Sequence, residues 1–191
     1  MKHFRTADAS VWCDGREGEQ MRHGRGGGFR EFAAGRSGHL YRSACLLASG
    51  DTHLAEDLVQ ETLGRMYLRW GRISRIDNPA AYAQTVLVRA FLTHQRRRSA
   101  GERPVGELPD PGAPATGGED PALRLTLLEA LGRLAPKDRA VLVLRYWEDR
   151  SVEETADAMN TSSAAVRTRT SRALARLREQ LGGSLSAFAD L

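Results

Sequence analysis

From Phe29 onward the chain repeats apolar residues at intervals of three and four, the spacing that lines one face of an α-helix. Phe29, Phe32, Arg36, Leu40, Ala44 and Leu47 make the first such face, apolar except at Arg36. After Gly50, Asp51 is placed to cap a second helix that carries Leu54, Leu58, Thr62, Met66 and Trp70 along one side. Asn78-Pro79 reads as a cap followed by a first-turn proline, and opens a third helix through Ala83, Val86, Leu87, Ala90, Phe91 and His94. Leu127, Leu128, Leu131 and Leu134 predict a fourth. Pro136 opens a fifth, Lys137–Trp147, whose apolar residues nearly surround it and so place it centrally. No stretch alternates polar and apolar residues long enough to predict a sheet. The expected fold class is all-α.

Between the third and fourth helices the pattern stops. Ser99–Pro121 holds five of the seven prolines and five glycines, with no aromatic residue, and cannot bury enough surface to fold alone. Its charges are Glu102, Glu107, Asp110, Glu119 and Asp120 against Arg103. It reads as a flexible acidic linker, and divides the chain into two small helical domains. The expected boundaries are a disordered tail at 1–28, a first domain at 29–98, the linker at 99–121, a second domain at 122–182 and a tail at 183–191. A total of 191 residues suits two modest cores.

Composition then removes several function classes. No apolar run approaches the roughly 18 residues of a membrane span. The first residues lack the apolar stretch of a secretory signal, so the cytoplasm is the expected location. Cys13 and Cys45 cannot build a disulfide framework, and neither they nor the five histidines fall at metal-ligand spacing. No metal and no cofactor is expected. No nucleophile–base grouping or phosphate-binding glycine loop is present, so no catalytic residue is assigned and the chain is read as a non-enzyme. Net charge is +4, and 26 of the 28 basic residues are arginine, whose forked donors suit phosphates and guanine edges.

The arginines matter by position. Ser151-Val152-Glu153-Glu154 is a capping box, with Val152, Thr155, Ala156 and Met159 facing inward along the helix it starts. Asn160 stands where a left-handed, helix-ending residue is needed. Ser162 can cap the next helix, buried through Val166, Thr170, Ala173, Leu174, Leu177 and Leu181. Two capped helices joined by a three-residue turn predict a helix-turn-helix. At 100° per residue, Ala165, Thr168, Arg169, Arg172 and Arg176 fall opposite the buried stripe. The first helix is acidic and the second carries five arginines, the asymmetry a recognition helix in a DNA major groove requires. In the first domain, Asp51, Glu56, Asp57 and Glu61 crowd the start of one helix, and Arg96-Arg97-Arg98 end the next. Both placements also suit the helix dipole. Tyr67, Trp70 and Tyr82 lie among arginines, a composition suited to stacking on unpaired bases as well as to a core.

Several segments, in order, resemble bacterial RNA polymerase sigma factors. Ala55-Glu56-Asp57-Leu58-Val59-Gln60-Glu61-Thr62 is similar to the segment that grips the polymerase clamp. Asn78-Pro79-Ala80-Ala81-Tyr82, running to Arg96-Arg97-Arg98, is similar to the promoter-melting, minus-ten-reading helix. Leu134-Ala135-Pro136-Lys137-Asp138-Arg139-Ala140-Val141 and Val166-Arg167-Thr168-Arg169-Thr170-Ser171-Arg172-Ala173-Leu174 resemble the fourth region. Two domains around an acidic linker resemble the extracytoplasmic-function (ECF) group, and Leu46-Leu47, Gly50-Asp51 and Arg69-Trp70-Gly71-Arg72 resemble its actinobacterial SigE-like branch. Asn160 replaces the usual turn glycine, and Ala165 a common threonine.

The resemblance implies a promoter-specificity subunit. Its implied core-polymerase contacts are Glu56, Asp57, Gln60 and Glu61 on the β′ clamp helices, with Leu134–Trp147 on the β flap. Its implied minus-ten DNA contacts are Trp70, Arg72, Asn78, Tyr82, Arg89, Arg96 and Arg97, the loop Gly71–Asn78 holding a flipped base. Its implied minus-thirty-five contacts are Ser163, Arg167, Thr168, Arg169 and Arg172. The linker would thread the polymerase RNA path as a polyanion, and an anti-sigma factor is a candidate partner. The alternative is a stand-alone helix-turn-helix regulator that never binds polymerase, which would leave the Ala55–Thr62 face without a use.

Overall fold

Four helix starts marked in the sequence carry the side-chain caps expected of them. Asp51 Oδ1 accepts from the Leu54 N–H at 2.9 Å, and Asn78 Oδ1 from the Ala81 N–H at 2.9 Å. Ser151 Oγ accepts from the Glu154 N–H while Glu154 accepts from the Ser151 N–H, closing the capping box. Ser162 Oγ accepts from the Ala165 N–H at 3.2 Å. Each contact satisfies a backbone donor that a first helical turn leaves without a partner.

The computed structural model describes residues 15–100 and 121–182. The elements are α1 (Gly15–Ala48), α2 (Thr52–Leu68), α3 (Trp70–Ile73), α4 (Pro79–Ala100), α5 (Pro121–Gly132), α6 (Pro136–Leu142), a π-helical stretch (Val143–Trp147), α7 (Val152–Met159) and α8 (Ser163–Leu181). Among the described residues there is no strand, as expected of an all-α fold. Most of the expected linker, at 101–120, the tail at 183–191 and the first fourteen residues lie outside the described residues.

Two expectations need correction. The segment Gly15–Gly28, read as part of an unstructured tail, continues α1 in the N-terminal direction. A helix already nucleated at Phe29–Leu47 extends at far lower cost than a new one forms, which offsets the poor propensity of its glycines. The expected helix Lys137–Trp147 is α-helical only to Leu142. Beyond it the turn widens, and the Glu148 N–H reaches back five residues to the Val143 carbonyl at 3.0 Å.

α1, α2 and α4 pack around Leu40, Ala44, Leu47, Leu58, Met66, Leu87, Val88 and Phe91, all buried. α6, α7 and α8 enclose Val141, Ala156 and Val166, and Leu131, Leu134, Leu142 and Ala173 fill the space between α5, α6 and α8. The two helical groups are in contact. Ala140, Val143, Leu144 and Ala158 of the second belong to the same buried cluster as the core of the first.

Candidate functional site

On α2 the apolar stripe fixes what faces outward. Leu54, Leu58, Thr62, Met66 and Trp70 are buried, so Glu56, Asp57, Gln60 and Glu61 stand together on the opposite, exposed side. Arg65, one turn on, pairs with Glu61. The result is an acidic surface on a rigid helix.

The residues expected at minus-ten DNA separate into several environments. Trp70 is corrected to a core residue: it is 9% exposed and its ring packs edge-on against Phe29, 5.4 Å between centroids, and against Phe32 at 4.9 Å. Burial of an indole on two rings gains more than its exposure among arginines would. Arg72 is exposed and, with Leu68, Arg69, Gly71 and Arg75, lines an open hollow of about 860 Å³ at the end of α2. Asn78 is exposed, its side chain occupied in capping α4. Tyr82 is half-buried, and Arg96 and Arg97 are exposed near the end of α4. Arg89 points from α4 to α7: its Nε donates to the Ala158 carbonyl and its Nη2 to the Asp157 carbonyl, each at 2.9 Å. These carbonyls lie in the last turn of α7, at the negative end of its dipole, so a guanidinium suits them.

α7 and α8 form the expected helix-turn-helix. Asn160 adopts φ 51°, ψ 57°, the left-handed conformation that ends α7. Arg167, Thr168 and Arg172 are exposed, and Ser163 is half-buried in the first turn. Arg167 lies 3.4 Å from Glu153, a pair so open to solvent that it holds little. Arg169 departs from the outward face expected of it. Asp138, its carboxylate 9% exposed, accepts from Arg169 Nη1 at 3.0 Å and from Arg176 Nη1 at 3.1 Å. A carboxylate buried at the start of α6 needs cations, and α8 supplies two from the edge of its buried stripe.

Several polar residues between the helical groups carry no mark in the sequence. Glu148, side chain 2% exposed, accepts from Ser43 Oγ at 2.5 Å and from Gln84 Nε2, and lies 2.8 Å from His39 Nε2. Trp147 stacks on the His39 ring and donates from Nε1 to Ser43 Oγ at 3.0 Å. Arg150 donates to Gln84 Oε1 at 2.6 Å and to the Ala81 carbonyl at 2.5 Å. Arg139 donates to the Leu47 carbonyl at 2.6 Å and to the Gly132 carbonyl at 3.1 Å, with Phe91 beneath its guanidinium. Burial pushes Arg139 down to about 10, which leaves it charged at neutral pH. No periodicity or cap marks these residues, because each is defined by a partner at least 64 residues away.

Cys45 is buried in α1, and desolvation raises its thiol pKa, so it is a poor nucleophile. Among the described residues no group of three or more His, Cys, Asp or Glu is placed to hold a metal, and no helix is long and apolar enough to cross a membrane.

An acidic helix face and an arginine-bearing helix-turn-helix on one chain match known proteins. The model of "Sigma-70 region 2" matches residues 36–101 and that of "Sigma-70, region 4" matches residues 124–177. The RNA polymerase sigma-E factor of Streptomyces avermitilis is 40% identical over 161 residues, covering 84% of this chain and 89% of that protein. The chain belongs to the sigma-70 family. Its namesake in Streptomyces coelicolor is 42% identical over 154 residues, covering 80% and 85%. Among solved structures, the sigma factor RpoE of Bartonella quintana, in complex with the anti-sigma factor NepR, aligns with a TM-score of 0.64 at 25% identity, over 80% of this chain and 96% of that one. The chain is thus a sigma factor of the ECF group, similar to the Streptomyces sigma-E factors, and directs transcription initiation. The family is one of non-catalytic initiation factors.

Proposed function

We propose that this sigma factor docks on the clamp helices of the polymerase β′ subunit through Glu56, Asp57, Gln60 and Glu61, and reads promoter DNA with two separate basic surfaces. The observation that carries this reading is the division of charge between two exposed helix faces. The α2 face presents three carboxylates, and the α8 face presents Arg167 and Arg172. An acidic face suits a basic protein partner, and an arginine face suits DNA.

Ser163, Arg167, Thr168 and Arg172 meet the minus-thirty-five major groove, some at base edges and some at phosphates. Arg169 acts one step back, as a positioning residue anchored on Asp138. Arg72, Tyr82, Arg96 and Arg97 meet minus-ten DNA, with the Gly71–Asn78 loop around a flipped base and Asn78 fixing the start of α4. Unstacking that base costs a few kcal/mol, which stacking and a pocket offset. Arg89 joins them when it leaves α7, and Trp70 supports the surface from the core. Leu134–Trp147 takes the β flap, and the linker threads the RNA path. The chain acts in the cytoplasm, without cofactor and without catalysis of its own. The likeness to a sigma factor solved with an anti-sigma factor supports a partner of that class here as well.

Reversing Asp57 and Glu61 together, as Asp57→Lys with Glu61→Lys, tests the docking surface. Both side chains are exposed, so circular dichroism should keep its helix content. Cations against a basic surface cost several kcal/mol, so core pull-down should fall about a hundredfold or more and run-off transcription with it. A folded double variant that still recruits core normally would reduce this face to a solvated helix start.

A further inference from the structure

α4 ends on a basic run followed by a hydroxyl. Arg96, Arg97, Arg98 and Ser99 are all exposed in its last turns. Arg96 Nη2 reaches Thr93 Oγ1 at 3.3 Å, and among the described residues none of the three arginines is paired with a carboxylate. Ser99 Oγ donates to the Gln95 and Arg96 carbonyls at 2.9 and 3.0 Å, so the residues that hold it are its own helical neighbours. No other serine or threonine of the chain directly follows three arginines. Thr170, which comes after Arg167 and Arg169, is half-buried in the middle of α8 and bonded to the Val166 carbonyl.

Arginines running up to an exposed hydroxyl are what the acidic substrate groove of an arginine-directed protein kinase selects, by charge complementarity. Such a groove takes its substrate extended, and position in the fold decides which hydroxyls can comply. Ser99 is the penultimate residue of α4, and helix ends open at little cost in free energy. Gly101 and Pro104, both poor helix formers, follow it in the sequence. Thr168 and Ser171 are exposed as well, but they lie inside α8. Presenting either one means unwinding that helix across its buried stripe, at Val166 and Ala173.

We propose that Ser99 is a phosphorylation site for an arginine-directed protein kinase, and that phosphate there turns down promoter binding through Arg96 and Arg97. The regulatory half rests on the minus-ten reading above. ATP is the donor. A bond forms between Ser99 Oγ and the γ-phosphorus, and the bond from that phosphorus to the β,γ-bridging oxygen breaks. ADP leaves with the electron pair, and a base of the kinase takes the hydroxyl proton. The product carries a charge of about −1.5 to −2 at neutral pH. Arg96 stands three residues before Ser99, so the two share a helix face. A phosphoserine here occupies arginines that DNA phosphates would otherwise take, and sets an anion at the negative end of the α4 dipole.

The test treats the full chain with magnesium-ATP and an arginine-directed probe, the catalytic subunit of the cAMP-dependent protein kinase. Mass spectrometry should place a phosphoryl group on Ser99, and the same peptide of Ser99→Ala should carry none. Chain isolated from its native cells should yield the same phosphopeptide. The phosphorylated chain, and Ser99→Glu as its mimic, should bind core polymerase as the parent does. Promoter binding by their holoenzymes should fall about tenfold, and the slope of log affinity against log salt should shrink by about 1–2. Ser99→Ala and Ser99→Gln should transcribe as the parent does. Absence of phosphate at Ser99 from the probe-treated chain, or from the native chain in growth and stationary phase alike, would overturn the site. Normal promoter binding by the phosphorylated chain, where Arg96→Ala with Arg97→Ala weakens it, would overturn the regulation and leave the minus-ten reading standing. Normal promoter binding by that double variant would instead overturn the reading of those two arginines and the regulation with it.

Discussion

Replacing Asp138 with Ala removes the carboxylate that ties two arginines of α8 to the start of α6, and separates two roles for Arg169. Hydrogen bonds to charged groups contribute about 1.5–3 kcal/mol each when shielded. Arg169 and Arg176 are 38% and 56% exposed, so screening lowers each to about 1 kcal/mol. The carboxylate in the first turn of α6 adds about 0.3–1 kcal/mol through the helix dipole. No buried cation is stranded, since both arginines can return to water. Asp138→Ala should therefore cost about 1–3 kcal/mol. For a lobe of about 60 residues, where 1 kcal/mol moves the midpoint by about 4–8 °C, that lowers the region 4 transition by roughly 5–20 °C. A double-mutant cycle with Arg169→Ala, read by urea denaturation, should return a coupling of about 1 kcal/mol. Arg172→Ala should leave stability within about 0.5 kcal/mol and cost about 1–3 kcal/mol of promoter affinity in holoenzyme. The reasoning fails if Asp138 and Arg169 show no coupling while Arg169→Ala relaxes preference at a single base pair, as a groove contact would.

Trp70→Ala should destabilise region 2 by about 3–5 kcal/mol in urea titration, with Trp70→Phe recovering most of it, because its ring fills space against Phe29 and Phe32. Asn160→Ala should cost about 1–2 kcal/mol in a thermal melt, while Asn160→Gly is neutral or stabilising, since φ at this position is 51°. Hydrogen bonds from the backbone and side chain of Ser151 hold the Glu154 carboxyl below its ordinary 4.5, so its contribution is complete above that value and lost as pH falls through the lower folded one. Stability curves of the parent and Glu154→Gln should therefore separate above the ordinary carboxyl value and converge as pH falls through the lower folded one.

Local chemistry was legible wherever a residue acts on its own neighbourhood. Asp51, Asn78, Ser151 with Glu154, and Ser162 cap within three residues, and Asn160 ends its helix by its own backbone preference. The exposure of Glu56, Asp57, Gln60 and Glu61 followed from helical periodicity once the apolar stripe of α2 was traced. Periodicity served less well at edges. Arg169 lies near the boundary of the buried stripe of α8, where an angle cannot tell a solvated guanidinium from one drawn inward by a carboxylate 31 residues earlier. Trp70 was ambiguous for a related reason: it ends one apolar stripe and sits in an arginine-rich run, and only the approach of Phe29 and Phe32 decides between them. The partners of Glu148 lie 64 to 109 residues away, across the linker, and no spacing rule reaches that far.

The π-helical stretch Val143–Trp147 makes the direction of Glu148 a matter of counting as well as of chemistry. A wide turn holds one residue more than the α-helical turn it replaces, and Glu148 follows directly after it. Were the stretch to run on as ordinary α-helix at the same chain length, position 148 would swing by about 100° around the axis. Its carboxylate would then miss His39 and Ser43 although every partner was still present. The contact between the two helical groups can therefore be gained or lost through the width of a single turn, with no substitution at any residue that makes it.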